Sequence, residues 1–231
     1  MNTIENNNYQ IYFDNSLQSL VDVIAKKAYS KIFILTDEVT GSLCLPVLQA
    51  KLPNFDTFDI IEVPNGEENK TIDYCIGIWR MLLDFEADRN ALLINLGGGV
   101  VTDMGSFAAS TFKRGIDFLQ IPTTLLSQVD ASVGGKTGID MDDVKNIIGT
   151  FAQPQAVIIA TDFLKTLDQR QIVSGFAEVI KHGIIADLNF FNQIILLDKP
   201  EQITETQIYH SIEIKNKVVL EDPFEKGIRK T

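Results

Sequence analysis

The sequence predicts an α/β fold: a parallel-sheet domain over residues 1–160, followed by the start of an all-α domain over 161–231. Three observations lead there. Short β-branched or aromatic runs alternate with longer segments of helical period up to about residue 160. Beyond that point the strand signal stops. And 231 residues, 45% of them hydrophobic, suffice for one sizeable core or one core with a smaller lobe.

The strand-like runs are YQIYF (9–13), KIFILT (31–36), TFDIIEV (57–63), ALLINL (91–96), FLQIP (118–122) and QAVIIA (155–160). Between them, residues 16–29 read as a helix. Residues 70–86 read as a stronger one, with Ile72, Ile76, Trp79 and Leu83 along one face. Such alternation implies parallel strands joined by helical crossovers. From residue 162, DFLKTLDQRQIVSGFAEVIKHGIIADLNFFNQII reads as successive helices, with Asp162 as an N-cap and Gly175 as a break, and residues 201–220 as another. A helical lobe of this size has a thin core, so another surface is expected to cover it.

Composition excludes several classes. Thirty-one acids against 20 bases leave a charge of −11, which argues against a nucleic-acid partner. No apolar run approaches the eighteen or so residues of a membrane helix. The N-terminal MNTIENNNYQ lacks the basic and apolar regions of a secretory signal. Cys44 and Cys75 form no metal-type or redox-type spacing. A reducing, cytoplasmic setting fits these features best.

Several segments carry chemistry. Asp37 follows KIFILT directly, where an acid can accept hydrogen bonds from ribose hydroxyls or serve as an ordinary turn residue. Gly97, Gly98 and Gly99 stand between a strand and a helix, a turn that lets backbone approach a pyrophosphate. The usual dinucleotide fingerprint is not met, because Thr102 holds the position of its third glycine. Asp103, in the first turn of that helix, is either a ligand contact or a cap. GGKTG (134–138) looks like the end of a phosphate loop, but Asp130 stands where the full pattern needs glycine. That segment is either a wrap for a small polyhydroxylated or phosphorylated ligand or a surface loop. Lys113, Arg114, Lys136, Lys145, Asn146 and Lys181 are scattered groups that a fold could bring to one anion or leave solvated. Glu178 and His182 lie four apart on a predicted helix and share a face, yet zinc needs three or four protein ligands and His210 is the only other histidine.

Together these segments resemble the 3-dehydroquinate synthases, sugar-phosphate cyclases of the shikimate pathway. The resemblance rests on PNGEENK (64–70), GGGVVTDMGSFAASTFKRG (97–115), and IPTTLLSQVDASVGGKTGID with KNIIG (121–149). GFAEVIKHG (175–183) and KNKVVLEDPFEKGIR (215–229) continue it. It covers essentially the whole chain and about the first two-thirds of the family's usual length. It implies a Rossmann-like N-terminal domain holding NAD and a helical domain carrying metal and part of the substrate site. The implied nucleotide contacts are Asp37, Glu67, Lys70, Gly98, Gly99, Val100, Asp103, Thr123 and Thr124, with Lys136 and Lys145 near the cofactor as well. The implied substrate contacts are Arg114, Asp130, Lys136, Lys145, Asn146, Lys181, Lys215, Glu225 and Arg229. The implied ligand of Zn2+ or Co2+ is Glu178; His182 matches a position the family does not use for metal.

The implied reaction converts 3-deoxy-D-arabino-heptulosonate 7-phosphate to 3-dehydroquinate and phosphate, by oxidation with NAD, phosphate elimination, reduction and aldol closure. In the family, the motif ending here at Arg229 runs on into two further histidines that complete the zinc site. They do not occur in these 231 residues. The expectation is therefore a chain that folds around NAD and turns over poorly or not at all alone, with apolar surface bare on 169–196 and 203–220. A homodimer is implied for the full-length form. A sister cyclase acting on another sugar phosphate and a non-catalytic NAD-binding remnant are the alternatives.

Overall fold

The computed structural model describes residues 2–6, 8–52, 57–142 and 144–229. Strands β1 (Asn2–Glu5), β2 (Gln10–Phe13), β3 (Ile32–Asp37), β4 (Asp59–Val63), β5 (Leu92–Gly97), β6 (Asp117–Pro122) and β9 (Ala156–Ile159) form one sheet in the order β1-β2-β9-β6-β5-β3-β4. All neighbours are parallel except β1 and β2, which pair as an antiparallel edge. A separate antiparallel ribbon joins β7 (Lys136–Met141) to β8 (Val144–Phe151). The helices are α1 (Gln18–Ala25), α2 (Glu38–Leu43), α3 (Leu45–Lys51), α4 (Ile72–Asp84), α5 (Gly99–Thr111), α6 (Gln169–Ala186), α7 (Leu188–Ile194) and α8 (Glu205–Glu221). The expected α/β class holds. No helix among the described residues is long and apolar enough to cross a membrane.

Alternation along the central strands divides the core. Phe33, Leu35, Leu93 and Phe118 face α4 and α5, whereas Ile34, Leu92, Ile94 and Leu119 face the opposite side with α1 and α3. The stripe that α4 buries is Cys75, Ile78 and Leu82; the expected face was off by one, leaving Ile72 and Leu83 exposed. Further along the sheet, Ile11, Phe13, Val157 and Ile159 pack with Phe176, Val179, Ile208 and Ile212 of α6 and α8. The sheet's own edge thus completes the thin helical core. Exposed Val173, Ile184, Ile185, Leu188, Ile195 and Leu196 bear out the bare apolar surface around α6 and α7, but not on α8.

Three local expectations are corrected. Of the two readings of GGKTG, the plain surface loop is not what residues 136–138 adopt, since they begin β7 (Lys136–Met141), which pairs with β8 (Val144–Phe151). The cap of α6 is Asp168, which accepts from the Gln171 amide at 2.9 Å, while Asp162 lies in the short 3₁₀ turn before it. Gly175 does not break the helix but sits inside α6, because the backbone of 125–126 passes so close that a Cβ there would lie 2.4 Å from the Leu126 nitrogen. Gly175→Ala should therefore lower the unfolding free energy by about 2 kcal/mol, overpacking against backbone outweighing the ~1 kcal/mol gain in helix propensity. Urea denaturation measures this, and a variant as stable as the parent would contradict the close crossing.

Candidate functional site

Parallel strands end at one edge, and ligands of open α/β sheets bind there. At that edge Asp37 closes β3, Gly98 follows β5, and Thr123 and Thr124 follow β6. A cavity of about 710 Å³ opens between them, with Glu67, Lys70, Gly99, Val100 and Asp103 also in its wall. Every expected nucleotide contact except Lys136 and Lys145 lines this one space. Asp37 also caps α2, its Oδ1 accepting from the Thr40 amide at 2.7 Å. At Gly98 the backbone is extended, and no side chain caps α5, so the first amides of that helix face the cavity's glycine turn uncovered.

A second cavity of about 470 Å³ shares Asp103, Asp130, Ala131 and Asn146 with the first. Lys136, Lys215 and Glu225 line it, along with the inner face of the β7–β8 ribbon. Asp130 leaves a π-helical turn (Ser127–Ala131) and meets Lys215 of α8 at 2.5 Å. Burial pushes the Asp130 carboxyl up, but the Lys215 ammonium, helped by Lys181, outweighs it and holds the group below the usual carboxylate range. Burial in turn depresses Lys215, against the opposing pull of Asp130. Glu225 is held low chiefly by its hydrogen bond from Lys136 at 2.8 Å, with Arg229 Nη2 at 3.1 Å adding to it.

Between the cavities Lys70, only 3% exposed, donates to Asp103 at 2.6 Å and to Asn146 Oδ1 at 2.5 Å. On α6, Glu178 pairs with Lys181, and the Lys181 ammonium is also 3.9 Å from Asp130. His182 lies one turn on from Glu178, 2% exposed, with Nδ1 2.8 Å from Ser211 Oγ and Nε2 3.9 Å from Asp130 Oδ1. Burial drives its pKa down to about 4, so the ring is neutral at neutral pH.

Four expected contacts line neither cavity, Lys181 and Arg229 among them. Lys145 sits at the exposed end of the ribbon, bridging to Glu67 at 3.1 Å and lining neither cavity. Arg114 lies beyond the far end of α5, about 20 Å from Gly99 at 1.5 Å per residue, and is likewise outside both cavities. With the glycine turn at the start of α5, Arg114 falls past the end of that helix away from the cavity. Sequence reasoning also missed the Asp130, Glu178 and His182 cluster, whose ligand atoms lie within 4.8 Å of one another. Only the pair on one helix was visible in the spacing.

The chain matches two family models, 3-dehydroquinate synthase N-terminal over residues 60–174 and 3-dehydroquinate synthase C-terminal over residues 175–231. It is 44% identical over 214 residues to the 3-dehydroquinate synthase of Parabacteroides distasonis, covering 91% of this chain and 60% of that one. It is 44% identical to that of Nitratiruptor sp. over 233 residues, 99% of this chain and 64% of the relative. The chain therefore spans about 60% of the length of these curated relatives. Its fold is similar to a 2-deoxy-scyllo-inosose synthase solved with carbaglucose-6-phosphate, NAD+ and Co2+, with a TM-score of 0.83 at 23% identity over 99% of this chain and 65% of that one. It is also similar to a 2-epi-5-epi-valiolone synthase from Streptomyces hygroscopicus with NAD+ and Zn2+ bound, with a TM-score of 0.86 at 24% identity over 98% and 65%.

The Lys70–Asp103 pair gives a titration test. Burial raises the Asp103 pKa to about 6, with Lys70 partly opposing it. Between its unfolded value and about 6, the native carboxyl holds a proton that the unfolded chain has released. This group's contribution to stability therefore falls as pH rises through that window. Replacing Lys70 by Met removes the opposing charge and should move the Asp103 midpoint above 6, read by carboxyl ¹³C NMR. An unmoved midpoint would mean the pair is not formed in solution.

Proposed function

The chain belongs to the 3-dehydroquinate synthase family, and from that premise we propose that it carries the NAD-binding and much of the substrate-binding machinery of such an enzyme. The observation that carries the reading is the continuity of the two cavities. One is walled by the nucleotide candidates, the other by candidate anion-binding groups, and Asp103, Asp130 and Asn146 stand at the join. The division of labour proposed is nucleotide binding by residues 1–160, with 161–231 contributing metal and substrate groups. A homodimeric full-length enzyme in the cytoplasm goes with this reading.

The cradle fits NAD. A Cβ at Gly98 would come 3.1 Å from Thr124 Cγ2, so the glycine leaves space at the wall where the uncapped α5 amides begin. The pyrophosphate would take hydrogen bonds from these amides, and Asp37 would accept from ribose hydroxyls. For the cation this stretch would supply Glu178 of α6, one of the three or four ligands that such an ion needs. When bound, NAD takes and returns a hydride at one substrate alcohol, and a Zn2+ or Co2+ ion polarises that alcohol's oxygen.

The chain's own residues would do the rest. Lys136, Lys215 and Arg229 are the donors for substrate phosphate and carboxylate oxygens, and Lys181 adds charge from α6. Asp130, held ionised by Lys215, would orient substrate hydroxyls. The Lys70 ammonium holds Asp103 and Asn146 together and so fixes the boundary between nucleotide and substrate.

Calorimetry with NAD+ tests the nucleotide half directly. Asp37→Asn keeps an oxygen to cap α2 but removes the charge, and should weaken NAD+ binding about tenfold. Absence of NAD+ binding by the parent chain would overturn the reading. Phosphate release from 3-deoxy-D-arabino-heptulosonate 7-phosphate, compared with sedoheptulose 7-phosphate, tests the substrate half; preference for the latter would favour a sister cyclase.

A further inference from the structure

We infer that Asn95, Ser106 and Gln120 are positioning residues for the nucleotide. Their buried amide–hydroxyl node fixes the second turn of α5 on the sheet, and so sets where the amides that would take the pyrophosphate stand. This rests on the NAD reading above and deepens it.

The node lies where hydrophobic side chains would continue the core. Asn95 of β5 and Gln120 of β6 face each other in the parallel ladder, two residues on from the core pair Leu93 and Phe118 and on the same face. They are 0% and 4% exposed. Both amides turn to α5. Gln120 Nε2 donates to Ser106 Oγ at 2.5 Å and to the Thr102 carbonyl at 3.2 Å, and Asn95 Nδ2 donates to Ser106 Oγ at 3.3 Å. Ser106 Oγ in turn donates to the Thr102 carbonyl at 2.6 Å. A hydroxyl has one proton and two lone pairs, and all three are used here. The helix also lies tight on the sheet, since a Cβ at Gly105 would come 2.1 Å from Asn95 Oδ1.

Packing alone does not call for this arrangement. Asn95 Oδ1 and Gln120 Oε1 are buried with no partner among the described residues, a desolvation cost that apolar side chains of like shape would avoid. What the amides supply and methyl groups do not is direction. Hydrogen bonds weaken steeply off-line, so the node resists sliding or rotation of α5 along the sheet. That matters at the cavity. The Thr102 amide donates back to the Gly98 carbonyl at 3.0 Å, and Gly99, Val100 and Asp103 of the same turns are cavity wall. No side chain caps α5, and the node holds the start of the helix in a cap's place. In the same wall Thr123 Oγ1 is buried without a partner among the described residues, a group that a bound ligand would satisfy.

Gln120→Met tests the inference. It removes both donors and the unpartnered oxygen at nearly constant length, and leaves Ser106 bonded to Asn95 and Thr102. The 231-residue chain and this variant are compared by urea denaturation, by amide hydrogen exchange without nucleotide, and by calorimetry with NAD+. The expected result is unfolding at the same or a higher urea concentration, exchange at Thr102 and Asp103 at least about tenfold faster, and NAD+ binding weaker by about tenfold. A variant destabilised throughout, with exchange rising equally at every amide, or one that binds NAD+ as tightly as the parent, overturns the inference and leaves the nucleotide reading standing. A parent chain that binds no NAD+ overturns both. If Q120M fails to fold, the parent decides: its Thr102 and Asp103 amides should exchange only through global unfolding, and local fraying of that turn would overturn the inference.

Discussion

Asp130 leaves the turn after β6 and meets Lys215 of α8 at 2.5 Å, so a single carboxylate joins the ligand edge of the sheet to the last helix. The same turn is apolar on its other side, where Val129 packs with Leu125, Val133 and Ile212. Burial of such side chains, about 1.5–3 kcal/mol each, is what holds α6 and α8 against the sheet. The ion pair adds little net attraction, because both charges lose water. Its effect is on register. Breaking this part-buried pair on one side would strand a charge largely out of water, which favours alignments that keep Asp130 opposite Lys215. Exposed Lys145–Glu67 imposes no such constraint, since a solvated pair is worth at most about 1 kcal/mol.

Legibility in the sequence followed burial. The inner strands of the sheet are hydrophobic because helices cover both faces, and ALLINL or QAVIIA announce that without context. The ribbon does not. Lys136, Asp140, Lys145 and Asn146 place charge and amide along β7 and β8, because these strands border ligand space and solvent. β1, NTIE, is a polar edge with one buried residue, and it gives no run to read. The glycine turn and the acid after β3 were visible because their chemistry is local to a strand end. The cluster of Asp130 with Glu178 and His182 was not, because its members come from separate elements and only the fold sets their distance.

Left-handed backbone occurs at three of the candidate residues, as it does at Leu17, Glu86, Lys113 and Asp142 elsewhere. Arg114, Asn146 and Glu225 all have φ between 53° and 72°, a region that non-glycine residues enter at about 1–2 kcal/mol each. At Asn146 the left-handed turn brings the side-chain Oδ1 to the Lys70 ammonium while the backbone amide donates to Asp140 at 2.7 Å. Glu225 stands between Lys136 and Arg229, and its carboxylate reaches both. The resemblance carried these residues' identities into the candidate set, yet their backbone conformations are invisible in a one-letter string. Arg114 has the strain without a partner in the cavities, and family likeness alone placed it there.

The charge arrangement has a consequence for how the site must work. The chain as a whole is at −11, but screening at physiological salt acts over about 8 Å, so an anionic ligand inside a cavity meets local groups and not the net charge. Those groups are already paired: Lys70 with Asp103, Lys136 and Arg229 with Glu225, Lys145 with Glu67, Lys181 with Glu178, and Lys215 with Asp130. A phosphate or carboxylate entering a cavity either displaces these acids or shares the remaining donors of an ammonium, as Lys70 already serves both Asp103 and Asn146. Self-pairing also keeps buried charges satisfied when no ligand is present, which is why a cavity so rich in ionisable groups can exist within a stable fold.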